Sequence, residues 1–147
     1  MYRVLITDDE KIEREGIKFL LSMEEGEYEI QEASNGKQAL NILRSQQIDF
    51  LLTDIKMPHM DGLELAEKAR EENPELPIVI FSGYSDFSFA QEAMRYGVKD
   101  YVLKPVDPDT FHETIEKVKA ELTDTKIKKQ KAEKEKNFLL QYFLQTY

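Results

Sequence analysis

Four short apolar runs, each followed by polar residues of a particular kind, constrain what this chain can become. The runs are Tyr2-Arg3-Val4-Leu5-Ile6, Asp49-Phe50-Leu51-Leu52, Ile78-Val79-Ile80-Phe81 and Asp100-Tyr101-Val102-Leu103; the polar residues at their ends are Asp8-Asp9, Asp54, Ser82 and Lys104. Helix-length segments separate the runs, so they read as buried strands of a parallel sheet. Every strand of such a sheet ends at the same edge, where ligands bind. Three carboxylates, a hydroxyl and an ammonium are therefore expected to converge on one spot. Crowded carboxylates repel, and a hard divalent cation such as Mg²⁺ would neutralise them, with Mn²⁺ as an alternative. A metal, a hydroxyl and a lysine around one carboxylate make a site for a phosphoryl group.

The intervening residues fit the same plan. After a strand over Tyr2–Thr7, a helix is predicted over Lys11–Ser22, with Ile12, Ile17, Phe19, Leu20 and Leu21 as its apolar face. Gly16 weakens that pattern slightly. Tyr28–Ala33 is a more polar run and suggests an edge strand. Ser34-Asn35-Gly36 makes a turn into a helix over residues 37–45, and 49–53 is the third strand. A helix over 63–72 ends at Asn73-Pro74, and strand four spans 77–81. Ser85 or Asp86 would cap a helix running to Tyr96, which Gly97 terminates. Strand five spans 98–103, and Asp107-Pro108 opens the last helix in cap-then-proline order.

Five strands alternating with five helices make an α/β chain, (βα)5 and doubly wound. The flavodoxin-like order 2-1-3-4-5 follows from placing the polar second strand at an edge. Phe111, Ile115, Val118 and Leu122 form a 4-3-4 seam, continued by Thr125, Lys129, Ala132, Lys136, Leu139 and Phe143. Two lysines on that seam make a weak coiled coil, whereas 138–144 is strongly apolar. The expected division is a body over 1–120 and a helical linker or extension over 121–147.

Charge narrows the partners. The net charge is −9. Residues 121–147 contribute +2, which leaves −11 on residues 1–120. An acidic body makes a poor nucleic-acid surface, so no nucleic-acid contact is expected from these residues. There is no cysteine, so disulfides and thiolate chemistry are excluded, which fits the cytoplasm. No signal peptide is expected before the first strand, and no apolar stretch approaches membrane-spanning length.

Within the cluster, Asp9 and Asp54 are the candidate direct Mg²⁺ ligands, with the Lys56 backbone carbonyl beside them and Asp8 acting through a water. Asp54 is also the candidate nucleophile, forming an acyl phosphate. Lys104 would pair with one phosphoryl oxygen and Ser82 would hydrogen-bond another. Each residue alone has a plainer reading: acids at a helix start, an Asx-turn aspartate, a loop lysine, a turn hydroxyl. The combination favours the chemical reading, because separate strands deliver the required types at one edge. His59 and His112 have no His or Cys partner at ligand spacing.

Four stretches now carry a resemblance: Leu5-Ile6-Thr7-Asp8-Asp9-Glu10, Thr53-Asp54-Ile55-Lys56-Met57-Pro58-His59-Met60-Asp61-Gly62, Phe81-Ser82-Gly83 and Leu103-Lys104-Pro105. In that order they resemble the receiver domain of two-component response regulators, over roughly residues 1–120. The resemblance implies phosphoryl transfer from a sensor histidine kinase to Asp54, in a signalling domain that catalyses only its own phosphorylation and dephosphorylation. It also implies a cis Lys104–Pro105 bond, and a switch in which Ser82 moves toward the phosphate and Tyr101 turns inward. From the residues alone, Tyr101 is an ordinary strand aromatic.

More narrowly, 83–90 and 97–106 look like receivers joined to AraC-type helix-turn-helix DNA-binding domains. On that reading the chain is a fragment of a larger transcription regulator, and the last helix and its extension could form a homodimer. Three rivals are weighed. A haloacid-dehalogenase-type phosphatase needs a second acid that Asp8-Asp9-Glu10 and Asp54-Ile55-Lys56 do not supply. A receiver-like interaction module that is never phosphorylated would not need the full acid set. A stand-alone receiver would not need the helical tail.

Overall fold

The computed structural model describes residues 1–83 and 87–146. Five strands, β1 (Tyr2–Thr7), β2 (Tyr28–Ala33), β3 (Phe50–Asp54), β4 (Ile78–Ser82) and β5 (Asp100–Leu103), alternate with five helices. The helices are α1 (Lys11–Ser22), α2 (Gly36–Ser45), α3 (Gly62–Glu72), α4 (Phe87–Arg95) and α5 (Pro108–Thr146). All strand pairs are parallel, in the order β2-β1-β3-β4-β5. The expected architecture is thus the observed one. The expected caps Ser85 and Asp86 of α4 lie outside the described residues.

Strand alternation sorts the core into two layers. Val4, Ile6, Phe50, Leu52, Val79 and Phe81 point toward α1 and α5, whose Ile17, Leu21, Phe111, Ile115 and Val118 complete that layer. Leu5, Leu51, Ile78 and Ile80 point the other way, against α2, α3 and α4. Burial on both faces explains why these strands read as continuous apolar runs rather than alternating ones.

One expectation about α1 is corrected. Ile12 and Phe19 are exposed, at 79% and 66%, while Ile17 and Leu21 are buried. At 100° per residue Ile12 and Phe19 lie on nearly the opposite side of the helix from Ile17 and Leu21. A single apolar face was therefore never available to all five residues.

Asn35, Asp61 and Asp107 cap α2, α3 and α5 by accepting bonds from the amides of Gln38, Glu64 and Thr110 at 2.8, 2.8 and 2.9 Å. Each satisfies an amide that the first helical turn leaves without a partner. Gly97, with φ 67°, closes the turn after α4. The last helix is unbroken for 39 residues, with no joint at residue 120. Among the described residues no helix is long and apolar enough to cross a membrane.

Arg70, near the end of α3, ties two elements together. Its guanidinium donates to the carbonyls of Tyr96 and Gly97 at 2.9 and 3.1 Å, and to those of Asn73 and Pro74 at 3.2 and 2.7 Å. Those carbonyls belong to the chain leaving α4 and the chain leaving α3. A planar fork of five donors can serve four acceptors; an ammonium cannot reach them all. Arg70→Ala is expected to lower stability by about 2–3 kcal/mol, and Arg70→Lys to recover less than half of that loss. Urea unfolding of the three proteins checks this, and a lysine variant as stable as wild type would defeat it.

Candidate functional site

Register alone brings the polar strand ends together. Thr7 pairs with Thr53, so Asp8 falls beside Asp54. Asp54 pairs with Phe81 and Ser82 with Leu103, which places Ser82 and then Lys104 one step further along the same edge. The Lys104 amide donates to the Ser82 carbonyl at 2.8 Å, continuing the ladder past β5. The Lys104–Pro105 peptide is cis, as the resemblance implied.

Among the described residues, Asp8, Asp9 and Asp54 each offer a carboxylate oxygen, and these lie within 4.8 Å of one another. Lys104 Nζ sits 3.1 Å from Asp8 Oδ2 and 3.2 Å from Asp54 Oδ1. A third acid, Glu13 on α1, approaches the same ammonium at 3.4 Å. Asp8 is buried and Asp9 exposed, so the cluster opens to solvent on the Asp9 side. Around Asp8 the backbone is pinned: its carboxylate accepts the Glu10 amide at 3.0 Å, and its carbonyl accepts Arg14 Nη1 at 2.8 Å.

Burial pushes the Asp54 carboxyl above the usual carboxylate range; Lys104 opposes that push and Asp8 reinforces it. Burial also works against the charge on Lys104, yet attraction to Asp54 and Asp8 outweighs it and carries the ammonium above its ordinary value. One lysine thus compensates three carboxylates only in part. An all-oxygen set with uncompensated negative charge and one open side fits a hard divalent cation.

Three further residues, Gly62, Glu13 and Arg14, shape the site without belonging to the expected set. A Cβ on Gly62 would collide with the Asp54 carbonyl, and the Gly62 amide donates to the Ile55 carbonyl at 2.7 Å. Glycine lets the start of α3 approach the backbone at Asp54 this closely. Asp61-Gly62 was visible in the motif, but nothing local in the sequence distinguishes this contact from a turn glycine. Glu13 and Arg14 were missed because both look like ordinary surface residues of a helix.

Ser82 is fully buried at the end of β4. Lys56 is exposed, and its ammonium lies 5.5 Å from the centre of the Phe89 ring on α4. Tyr101 is half-buried against the layer shared with α2, α3 and α4, level with Ile80 and one step short of the Asp54–Phe81 pair.

Residues 4–116 match the family described as the response regulator receiver domain. The chain belongs to that family. This receiver is 38% identical over 132 residues to the uncharacterized transcriptional regulatory protein YesN of Bacillus subtilis, a match covering 89% of this chain and 36% of YesN. It thus spans about a third of that relative's length. It is similar to the REC domain of AraT, a response regulator from Geobacillus stearothermophilus, with a TM-score of 0.76 and 42% identity over 85% of this chain and 98% of that one. TrrA of Thermotoga maritima, solved in complex with Mg²⁺-BeF, matches with a TM-score of 0.72 and 33% identity, over 80% of this chain and 99% of TrrA.

The raised Asp54 carboxyl has a consequence for stability. Above that raised value Asp54 is charged whether folded or not, and only the folded chain bears the cost. Below the ordinary carboxylate value it is protonated in both states and the cost is gone. Stability contributed at this position therefore rises as pH falls through the raised value. With divalent cations chelated, Asp54→Asn is expected to be more stable than wild type at neutral pH, by an amount that shrinks toward about pH 4. Matching urea midpoints at neutral pH would contradict this.

Proposed function

We propose that this receiver accepts a phosphoryl group on Asp54 from the phosphohistidine of a sensor histidine kinase, and that the modification governs a transcription-regulating domain outside these residues. The observation that carries the reading is the Lys104 ammonium held 3.1 Å from Asp8 and 3.2 Å from Asp54 at the C-terminal edge of the sheet. A cation poised between a candidate nucleophile and a second carboxylate can exchange either partner for a phosphoryl oxygen.

An Asp54 carboxylate oxygen forms the new bond to phosphorus as the donor's phosphorus–nitrogen bond breaks, and the released imidazole takes a proton from water. Asp9, Asp54 and the Lys56 carbonyl, with Asp8 through a water, are the groups that would hold Mg²⁺, which when bound offsets charge on the transferred group. Lys104 pairs with one phosphoryl oxygen and the Ser82 hydroxyl donates to another. Tyr101 then fills the space that Ser82 leaves. The phosphoryl group acts by favouring a conformation already present in the population. The domain catalyses only its own phosphorylation and dephosphorylation, in the cytoplasm, without contact to nucleic acid or membrane.

Docking of the kinase is read from α1. Ile12, Phe19 and Met23 are exposed along one line of the helix. The adjoining groove is lined by Gly16, Leu20, Lys104, Pro105 and Val106, so it shares Lys104 with the acceptor site. Gly16 meets nothing of its own chain where a Cβ would stand, and its cost to the helix is offset if a partner helix lies close there. Homodimerisation is read from the other end of α5. Phe111, Ile115 and Val118 are used up in the body's own core, whereas Phe138, Leu139, Leu140, Tyr142, Phe143 and Leu144 are all exposed. A helix apolar on most of its circumference is normally buried, and a second copy supplies the same apolar surface in return.

Intact mass after incubation with Mg²⁺ and a small phosphoryl donor tests the central claim. One added phosphoryl group is expected in wild type, and none in Asp54→Asn or without Mg²⁺. Sedimentation of the same samples is expected to show a dimer that Leu140→Asp with Phe143→Asp dissociates. No adduct, together with no response to beryllofluoride, would reduce the chain to an interaction module.

The docking surface has a separate test. Ile12→Glu with Phe19→Glu is expected to leave phosphorylation by the small donor unchanged and to slow transfer from the kinase's phosphohistidine domain about tenfold or more. Unaltered transfer would move the docking face elsewhere.

A further inference from the structure

Far from the acidic edge, His112 on α5 faces the turn between α1 and β2. Its Nδ1 lies 3.0 Å from both carboxylate oxygens of Glu24. The Glu24 side chain is only 7% exposed, while His112 is 59% exposed. The carboxylate is therefore enclosed, while the imidazole has an open side. Glu116 stands one helical turn beyond His112, on the same face of α5. One ligand atom from each of Glu24, His112 and Glu116 falls within 4.8 Å of the other two. The neighbouring cation Lys119 is engaged elsewhere, donating to the Glu25 carbonyl at 2.7 Å and lying over the rings of Tyr2 and Tyr28.

We propose that Glu24, His112 and Glu116 form a second cation site, for a first-row transition ion such as Zn²⁺, that ties the α1–β2 turn to the base of α5. The donor set separates this site from the acidic edge. An imidazole nitrogen with two carboxylates favours Zn²⁺ over Mg²⁺, whereas three aspartates favour the harder ion. The spacing suits coordination as well. Two atoms about 2.1 Å from one tetrahedral ion stand about 3.4 Å apart, so the 3.0 Å between His112 Nδ1 and Glu24 needs to open by only a few tenths of an ångström. On binding, an N–H proton at that nitrogen is released to solvent, the freed lone pair goes to the ion, and water fills the open positions. The plainer reading is a hydrogen-bonded His–Glu pair, which needs neither Glu116 nor a metal.

Ring resonances of the two histidines, followed during Zn²⁺ titration, separate the readings. Saturating Mg²⁺ keeps the acidic edge occupied, and His59, in the loop between β3 and α3, serves as the internal control. Glu24 holds the imidazole pKa above its usual value, chiefly through its hydrogen bond. The proton therefore competes, and the titration is run at about pH 8. The expected result is a saturable shift of His112 but not of His59, together with a rise in the thermal midpoint. Glu116→Gln is expected to weaken binding about tenfold or more, and His112→Gln to abolish the midpoint shift. An unmoved His112, a response confined to His59, or full affinity in Glu116→Gln would overturn the proposal.

Discussion

Like charge crowded at one edge of a parallel sheet is the constraint on which the rest of this structure depends. Asp8, Asp9 and Asp54 place oxygens within 4.8 Å of one another, and Lys104 is the cation set between two of them. Left to themselves, these groups would push the strand ends apart. What prevents that is rigid backbone: two-sided burial of the strands, the amide of Glu10 on Asp8, the guanidinium of Arg14 on the Asp8 carbonyl, and Gly62 seated against Asp54. A looser scaffold would relax by separating the acids, and the site would lose its affinity for a cation.

The same crowding bears on what a ligand can do at this edge. Burial raises the Asp54 carboxyl, so the edge is electrostatically unfinished before any ligand arrives. A ligand that completes the charge balance can favour one arrangement of the edge over another only to the extent that it binds them differently. Lys104 and Ser82 are joined through their backbones, so a change at either is felt at the ends of both β4 and β5. The Arg70 clamp fixes the opposite end of α4 to α3.

The architecture and the acid cluster were legible because both depend on short-range pattern. An apolar run buried on both faces shows itself within five residues, and the residue after it must stand at the edge. Glu13 and Gly62 were not legible in the same way, since each acquires its role from a neighbour brought close by folding. His112 is the extreme case: its partner Glu24 is 88 residues distant, a separation no local pattern encodes. The misassigned face of α1 had a different cause. Ile12 and Phe19 are apolar residues of an amphipathic helix, but their phase sets them against Ile17 and Leu21.

The long last helix shows how a change at the strand ends could travel. Its first four turns are locked into the core by Phe111, Ile115 and Val118, and Leu122 is the last apolar residue packed against that layer. Beyond it the helix runs on to Thr146 without interruption, steadied by the Lys129–Glu75 ion pair at 2.8 Å. At 1.5 Å per residue the stretch beyond Leu122 is about 36 Å long. A tilt of about 5° at its base would carry the tip through about 3 Å, more than enough to mispair side chains packed to protein density. An exposed ion pair of this kind contributes little energy and would not resist such a tilt. An unbroken helix is therefore the economical way to connect an electrostatic event at a sheet edge with a contact made far from it. A flexible linker of the same length would absorb the motion instead.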